Sequence, residues 1–195
     1  MKKINKNITI IDLSMEKMES SESIEKAIET VSEMITQRGY TITSHEDDKI
    51  TGQLDDGTRI VVFTIPIIKF NVDRVKEYIS YLHNMNISHC IIIYTNSVTS
   101  MAKKLLENSV DVTIEIFTVK ELQYNITKHR FVPTHIRLSE EESKEFKKKY
   151  GTKFPVLLRT EPVSKFYNFK RGDIIKIIRN ENGTNYICHR IVKGV

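Results

Sequence analysis

Six histidines (His45, His83, His89, His129, His135, His189) and two cysteines (Cys90, Cys188) are the side chains with which this chain could hold a metal or attack a substrate. Their spacing supports neither. There is no C-x-x-C, H-E-x-x-H or H-x-H, the short intervals that bring two ligands onto one zinc ion. His129 and His135 bracket Pro133 in a polar stretch, where hydrogen bonding to backbone or to a partner is the expected role. No G-x-S-x-G elbow, phosphate-cradling glycine loop or dinucleotide fingerprint occurs, and seven glycines leave little material for one. Magnesium-dependent phosphodiester hydrolysis needs several strand-borne carboxylates around the ion. The apolar runs 60–65 and 90–94 carry no Asp, Glu or Lys, and Glu115 is the one carboxylate in mid-strand. The expectation is a sheet used as scaffold, with no catalytic residue, no metal, no cofactor and no small-molecule substrate.

The elements around these residues follow from hydrophobic period. In 22-ESIEKAIETVSEMITQRG-39, Ile24, Ala27, Ile28, Val31, Met34 and Ile35 recur at steps of three and four, which predicts an amphipathic helix. Ser20, Ser21 and Ser23 offer caps, and Gly39 suits the left-handed residue that stops it. Strands are expected at 40–44, 49–54 and 59–66, with the acidic loop 46–48 and the turn 55–57 between them. Asn71 is an N-cap for a second helix with Val72, Val75, Ile79 and Leu82 on one face. The run 89–95 is apolar on both faces and predicts a central strand; 98–109 predicts a third helix with Met101 and Leu105 inward. A strand over 110–118 and a short helical turn over 119–125 complete an α/β domain, residues 1–127, with a mixed or parallel sheet and flanking helices of nuclease-like type.

The stretch 128–138, basic and carrying Pro133, is expected to be the joint. Beyond it lies a small α+β domain, residues 128–195. In 139-SEEESKEFKKKYG-151, Ser139 and Glu142 form a capping box, with glutamates in the first turn, lysines in the last and Gly151 at the close. Pro162 starts a short helix, and 173–179 and 185–192 are two strands of a hairpin with Gly183 in its loop. So small a domain favours docking onto something larger.

Net charge divides along the same line. Residues 128–195 hold 16 Lys+Arg against 7 Asp+Glu, or +9, whereas residues 1–127 hold 14 against 18, or −4, which sum to the +5 of the whole. A basic half meets phosphate or an acidic protein surface, and charge alone does not choose. The longest apolar runs fall short of the roughly 20 residues that cross a bilayer, the first 20 residues lack the marks of a leader, and both cysteines sit in apolar runs. An intracellular protein with buried, reduced thiols and no membrane contact is expected.

Three stretches, 129-HRFVPTHIRLSEEE-142, 157-LLRTEPVSKFYNFKRGDIIKIIR-179 and 186-YICHRIV-192, resemble the carboxy-terminal domain of the fifth common subunit of the eukaryotic nuclear RNA polymerases, which has a smaller archaeal counterpart. The family pattern there is H-x-L-V-P-x-H, L-P-x-I-x-x-x-D-P, K-x-G-[DQ]-V-V-K-I-x-R and a closing Y-R. Upstream, 32-SEMITQRGYTIT-43, 87-ISHCIIIYTNSVTSMAKK-104 and 121-ELQYNITKHRFVPTH-135 are similar in order and spacing to the eukaryotic jaw domain. Departures are local: Glu161 stands for Asp, Asn168 for Gly, Ser100 for Pro and His189 for Tyr, and the segment between Tyr40 and Arg59 is short. A compact, diverged copy of this kind suits a large DNA virus with its own polymerase or a divergent eukaryote.

The resemblance implies a non-catalytic subunit of a multisubunit DNA-directed RNA polymerase, nuclear if cellular, in host cytoplasm and virion if viral. The small domain would dock on the largest subunit and the first domain would form part of the lower jaw beside downstream DNA. On that reading Pro133, His135, Pro162, Lys170, Arg171, Gly172, Lys176, Arg179 and Arg190 shape the dock, and Thr99, Ser100, Lys103 and Lys104 lie nearest DNA phosphates. The alternative is a free-standing nucleic-acid-binding protein that uses the basic half directly.

Overall fold

The computed structural model describes residues 6–109, 111–151, 153–181 and 183–194, and they separate into two compact units between Tyr124 and Asn125. Val110, where a strand was expected to begin, and Asn182, in the expected hairpin loop, lie outside the described residues.

In the first unit, α1 (Lys6–Gln37) precedes three antiparallel strands, β1 (Thr41–His45), β2 (Lys49–Gln53) and β3 (Arg59–Phe70). The chain continues through α2 (Val72–Met85), β4 (His89–Val98), α3 (Ser100–Asn108), β5 (Thr113–Thr118) and a 3-10 turn at Lys120–Leu122. β3, β4 and β5 pair in parallel, so the five strands lie in sequence order as one mixed sheet. Two crossovers are helical, because parallel neighbours need a connection long enough to return to the starting edge. Val75 and Leu82 of α2 and Ala102 of α3 pack with Val61, Cys90 and Ile92 on one face. The alternate residues Ile60, Val62, Ile91 and Ile93 point the other way and are also fully buried, as are Ala27, Val31, Met34 and Ile35 of α1. Strands covered on both faces explain the unbroken apolar run in β4.

Local boundaries follow local chemistry, with corrections. α1 does not begin at Ser20–Ser23; it runs on upstream to Lys6, through residues such as Met15, Glu16, Lys17 and Met18 that favour helix, so those serines are not its caps. It ends as expected. Tyr40 N–H reaches Ile35 O at 3.0 Å and Gly39 N–H reaches Thr36 O at 3.0 Å, with Gly39 at φ +93°. β3 continues past Pro66 because its pairing with β4 is irregular between Phe63 and Ile67, where a residue lacking an N–H does no harm. Asn71 caps α2 by accepting from Arg74 N–H at 3.1 Å. Met101 is not inward but 68% exposed; the buried stripe of α3 starts at Ala102, and Leu105 and Leu106 follow three and four residues on.

In the second unit, a 3-10 turn at Ile126–Lys128 leads to β6 (Thr134–Arg137), α4 (Glu140–Tyr150), β7 (Val156–Leu158), α5 (Pro162–Phe166), β8 (Ile174–Glu181) and β9 (Thr184–Lys193). The sheet order is β6-β8-β9-β7, antiparallel except for the β7–β9 pair. The stretch expected to be a joint therefore contains a strand, and β7 was not expected at all. The capping box of α4 is present, with Ser139 Oγ accepting from Glu142 N–H at 3.2 Å and Glu142 returning a carboxylate to Ser139 N–H at 2.8 Å. Leu157, Phe169, Ile175, Ile177 and Val192 form the small core on one face of the sheet.

Candidate functional site

Strand register decides which dock candidates meet. His135 lies opposite Ile177, which lies opposite Cys188; Ile175 faces Arg190, and Arg179 faces Tyr186. Directly opposed residues share a face, as do residues two apart on one strand. His135, Arg179 and Arg190 therefore stand on the same side of the sheet as the buried Ile175 and Ile177. His135 Nδ1 lies 2.7 Å from Pro133 O, which fixes the ring against its own turn. Burial pushes its pKa down, and the charges of Arg190 and Arg179 act the same way, against the Pro133 hydrogen bond and Glu161. Arg190 Nη1 donates to Val156 O at 3.4 Å, tethering its head toward β7.

The remaining candidates lie elsewhere on the unit. Lys176 pairs with His189 across the strands and so faces the opposite side, where Phe146 of α4 sits 4.2 Å from the His189 ring. Lys170, Arg171 and Gly172 form the turn entering β8, seven residues before Arg179, a separation of roughly 23 Å in an extended strand. That turn is tightly specified. Lys170 N–H donates to Asp173 Oδ2 at 2.8 Å, Gly172 N–H reaches Val192 O at 2.9 Å, and Gly172 has φ +94°. Asn168, which replaces the family glycine, also takes a left-handed φ of 51°, a conformation asparagine tolerates better than most residues. Pro162 occupies the first turn of α5, and Glu161, rather than capping that helix, accepts from Leu158 N–H at 3.0 Å and closes the turn before it.

In the first unit, Thr99, Ser100, Lys103 and Lys104 lie together at the start of α3. The Thr99 hydroxyl accepts from Ala102 N–H at 3.3 Å, so it serves its own cap, while Ser100, Lys103 and Lys104 are exposed. This helix end follows the carboxyl end of the parallel strand β4, the edge at which open α/β sheets usually meet their ligands.

A buried polar group that sequence reasoning missed involves Glu115. Arg38 Nη1 and Nη2 donate to its two oxygens at 2.7 and 2.9 Å, His89 Nε2 bonds to Oε1, and Tyr40 Oη lies 3.1 Å from His89 Nδ1. With its proton on Nε2, the His89 ring donates to Glu115 and accepts the Tyr40 hydroxyl. Burial alone would raise the Glu115 pKa, but Arg38 and His89 outweigh it and hold the group at about 2. A carboxylate engaged on both oxygens by a guanidinium is a structural clasp and not a metal ligand in waiting. Among the described residues no group of three or more His, Cys, Asp or Glu is placed to hold a metal ion, and no helix is long and apolar enough to cross a membrane. Of the two thiols, expected to be buried, one departs from expectation. Cys90 is buried, with burial and then Glu115 pushing its pKa up, but Cys188 is exposed, because β7 covers β9 only from Ile191 to Lys193.

Comparison with known proteins agrees with the second unit and extends through the first. The family described as RNA polymerase Rpb5, C-terminal domain, matches residues 124–192. DNA-directed RNA polymerases I, II, and III subunit rpabc1 of Dictyostelium discoideum is 31% identical over 183 residues, covering 83% of this chain and 93% of that protein. The RPABC1 subunits of Caenorhabditis briggsae and Caenorhabditis elegans are each 26% identical over 194 residues, covering 84% of this chain and 92% of theirs. With the mixed α+β architecture in both units and similarity over 83% of its length to a relative 31% identical, the chain belongs to the Rpb5 (RPABC1) family of non-catalytic subunits of DNA-directed RNA polymerases.

Proposed function

We propose that this chain works as an assembly and DNA-guiding subunit: its second unit docks on the largest subunit of a multisubunit RNA polymerase, and its first unit forms part of the lower jaw beside downstream DNA. The observation that carries the docking half is the grouping of His135, Arg179 and Arg190 on one sheet face of a unit with 16 Lys+Arg against 7 Asp+Glu, or +9. Pro133 and Pro162 shape the approaches to that face; Lys170, Arg171 and Gly172 supply a second contact at the far end of β8, and Lys176 one on the opposite side. The jaw half rests on Ser100, Lys103 and Lys104 standing exposed at a helix start, where backbone N–H groups and the helix dipole favour phosphate. If the chain is cellular it works in the nucleus, and if viral in host cytoplasm and virion.

The test is a native pull-down of the tagged full chain from cells that express it, with partners identified by mass spectrometry, repeated for Arg179→Glu with Arg190→Glu. Recovery of the large polymerase subunits with the natural chain and their loss with the double variant is the expected result. Recovery of nucleic acid and unrelated proteins alone would sink the subunit role. It would favour the free-standing binder, whose affinity should fall steeply with salt.

A further inference from the structure

We propose that the turn 129–132 is the energetic centre of the dock: Phe131, held under Arg130, seats in an apolar pocket of the largest polymerase subunit rimmed by carboxylates. This rests on the docking reading above and adds to it Phe131, which stands at the leucine position of the H-x-L-V-P-x-H pattern and was not among the dock residues expected from the sequence.

Phe131 is 74% exposed, more than any other large apolar side chain whose exposure the structure defines. A single exposed apolar side chain is ordinary on a protein surface. Phe131 is set apart by how firmly it is held. Val132 N–H closes the turn on His129 O at 2.8 Å, and Phe131 N–H donates to His129 Nδ1 at 3.3 Å, so the backbone presenting the ring is fixed at both ends. The guanidinium carbon of Arg130 lies 4.3 Å from the ring centroid and the His129 ring 5.6 Å from it. Tyr150 is a useful contrast. It is 57% exposed and lies 5.1 Å from Lys149 Nζ, but its ring packs 4.7 Å from Phe146, which continues to Phe154 and His189. Tyr150 is thus the margin of an internal aromatic cluster, whereas the ring partners of Phe131 are a guanidinium and an imidazole.

The chemistry of the occupant follows from Arg130 on the ring and from the charge of the segment that carries it. No Asp or Glu occurs from Asn125 to Ser139, and Lys128, Arg130 and Arg137 fall in that interval. A guanidinium stacked on an aromatic face keeps its N–H edge free in the plane, ready for a two-pronged bond to a carboxylate. The complementary surface is therefore a pocket apolar at its floor and acidic at its rim, and an aromatic beside an arginine is the composition that dominates protein interfaces. The same pair could stack a nucleobase. Arg130 already occupies one ring face, however, and the turn leads straight through Pro133 into the strand that carries His135, so a protein surface continuous with the proposed dock is favoured.

The experiment measures binding of the purified full chain to a polymerase core that lacks this subunit, for the natural protein and for Phe131→Ala, Phe131→Leu, Arg130→Glu and Tyr150→Ala. Thermal melts check that each variant is folded. Phe131→Ala should weaken binding by about tenfold or more and Arg130→Glu comparably. Phe131→Leu should stay within about threefold of the natural chain, and Tyr150→Ala should match it. Phe131→Ala binding as tightly as the natural chain overturns the anchor while leaving the dock intact. Failure of the natural chain to bind the core overturns the docking reading itself. If Phe131→Ala retains core binding but loses affinity for a single-stranded oligonucleotide that the natural chain holds, the turn is a stacking platform and the anchor assignment is wrong.

Discussion

Arg38 and Glu115, 77 residues apart in sequence, meet in a two-pronged ion pair, with side chains only 5% and 13% exposed, that joins the end of α1 to the middle of β5. A buried pair contributes little net stability when intact, because desolvation of both charges offsets their attraction. Broken on one side, it leaves a charge stranded away from water. Here His89 and Tyr40 extend it, so one carboxylate fixes the helix that closes one face of the sheet and the first residue of β4. The unit's one mid-strand carboxylate is thereby absorbed into architecture.

Glu115→Gln should therefore destabilise the protein by on the order of 3 kcal/mol, because Arg38 loses its counter-charge while staying buried. Arg38→Met with Glu115→Leu should cost less than the sum of the single changes, a coupling that a double-mutant cycle of urea melts would measure. The pH dependence has a definite sign. Glu115 titrates at about 2 in the folded chain, below an unfolded value of about 4.3, so its contribution is complete above the unfolded value and lost as pH falls toward the folded one. Melts between pH 5 and 2 should show a loss that Glu115→Gln lacks; parallel curves would contradict the assignment.

Thiol chemistry should separate the two cysteines. Cys188, on the part of β9 that β7 does not reach, should react with an aromatic disulfide reagent at native conditions, and Cys90 only after unfolding. One equivalent before denaturant and two after is the expected count. Two fast equivalents would mean that the sheet around Cys90 opens far more readily than its packing implies.

Gly39→Ala tests the end of α1. The added methyl would meet Leu54 Cδ2 at an ordinary 3.5 Å, so space is not the obstacle; the φ of +93° is. A loss of about 1 kcal/mol or more is expected from strain alone, whereas a neutral or stabilising result would mean the helix ends differently in solution.

What was legible in the sequence was whatever had a strong local cause. Asn71 and the apolar stripe of Val75 and Leu82 placed α2, and Ser139 with Glu142 placed α4, because caps and helical period act within a few residues. β6 and β7 were missed because strands of four and three residues carry no readable period and exist through pairing with β8 and β9, distant in sequence. The same holds for the clasp: nothing near Glu115 announces Arg38. Met101 was misplaced because the first turn of α3 begins one residue off the buried stripe, and Cys188 because its apolar neighbours do not reveal that one edge of β9 lies open. In the candidate dock, residue types pointed to the strands correctly, and alternation along β8 already sets Lys176 and Arg179 on opposite faces, but only register joins His135 and Arg190 to the face of Arg179.

That separation matters less for DNA, where the candidate residues come from one helix start. Lys103 and Lys104 are exposed one turn along α3, and Thr99 already uses its hydroxyl to cap the helix, so phosphate contact would fall to Ser100, the free backbone N–H groups and the two lysines. Because the residues up to 127 carry 14 Lys+Arg against 18 Asp+Glu, attraction here is local and cannot be shared with the rest of the unit. Lys103→Glu with Lys104→Glu reverses that local charge without touching a buried residue. In a reconstituted polymerase the double variant should remain bound but crosslink less to downstream DNA, and its crosslinking should depend less on salt. Unchanged crosslinking at every salt concentration would remove α3 from the DNA path, whereas loss of the subunit from the complex would place the lysines in an interface with protein instead.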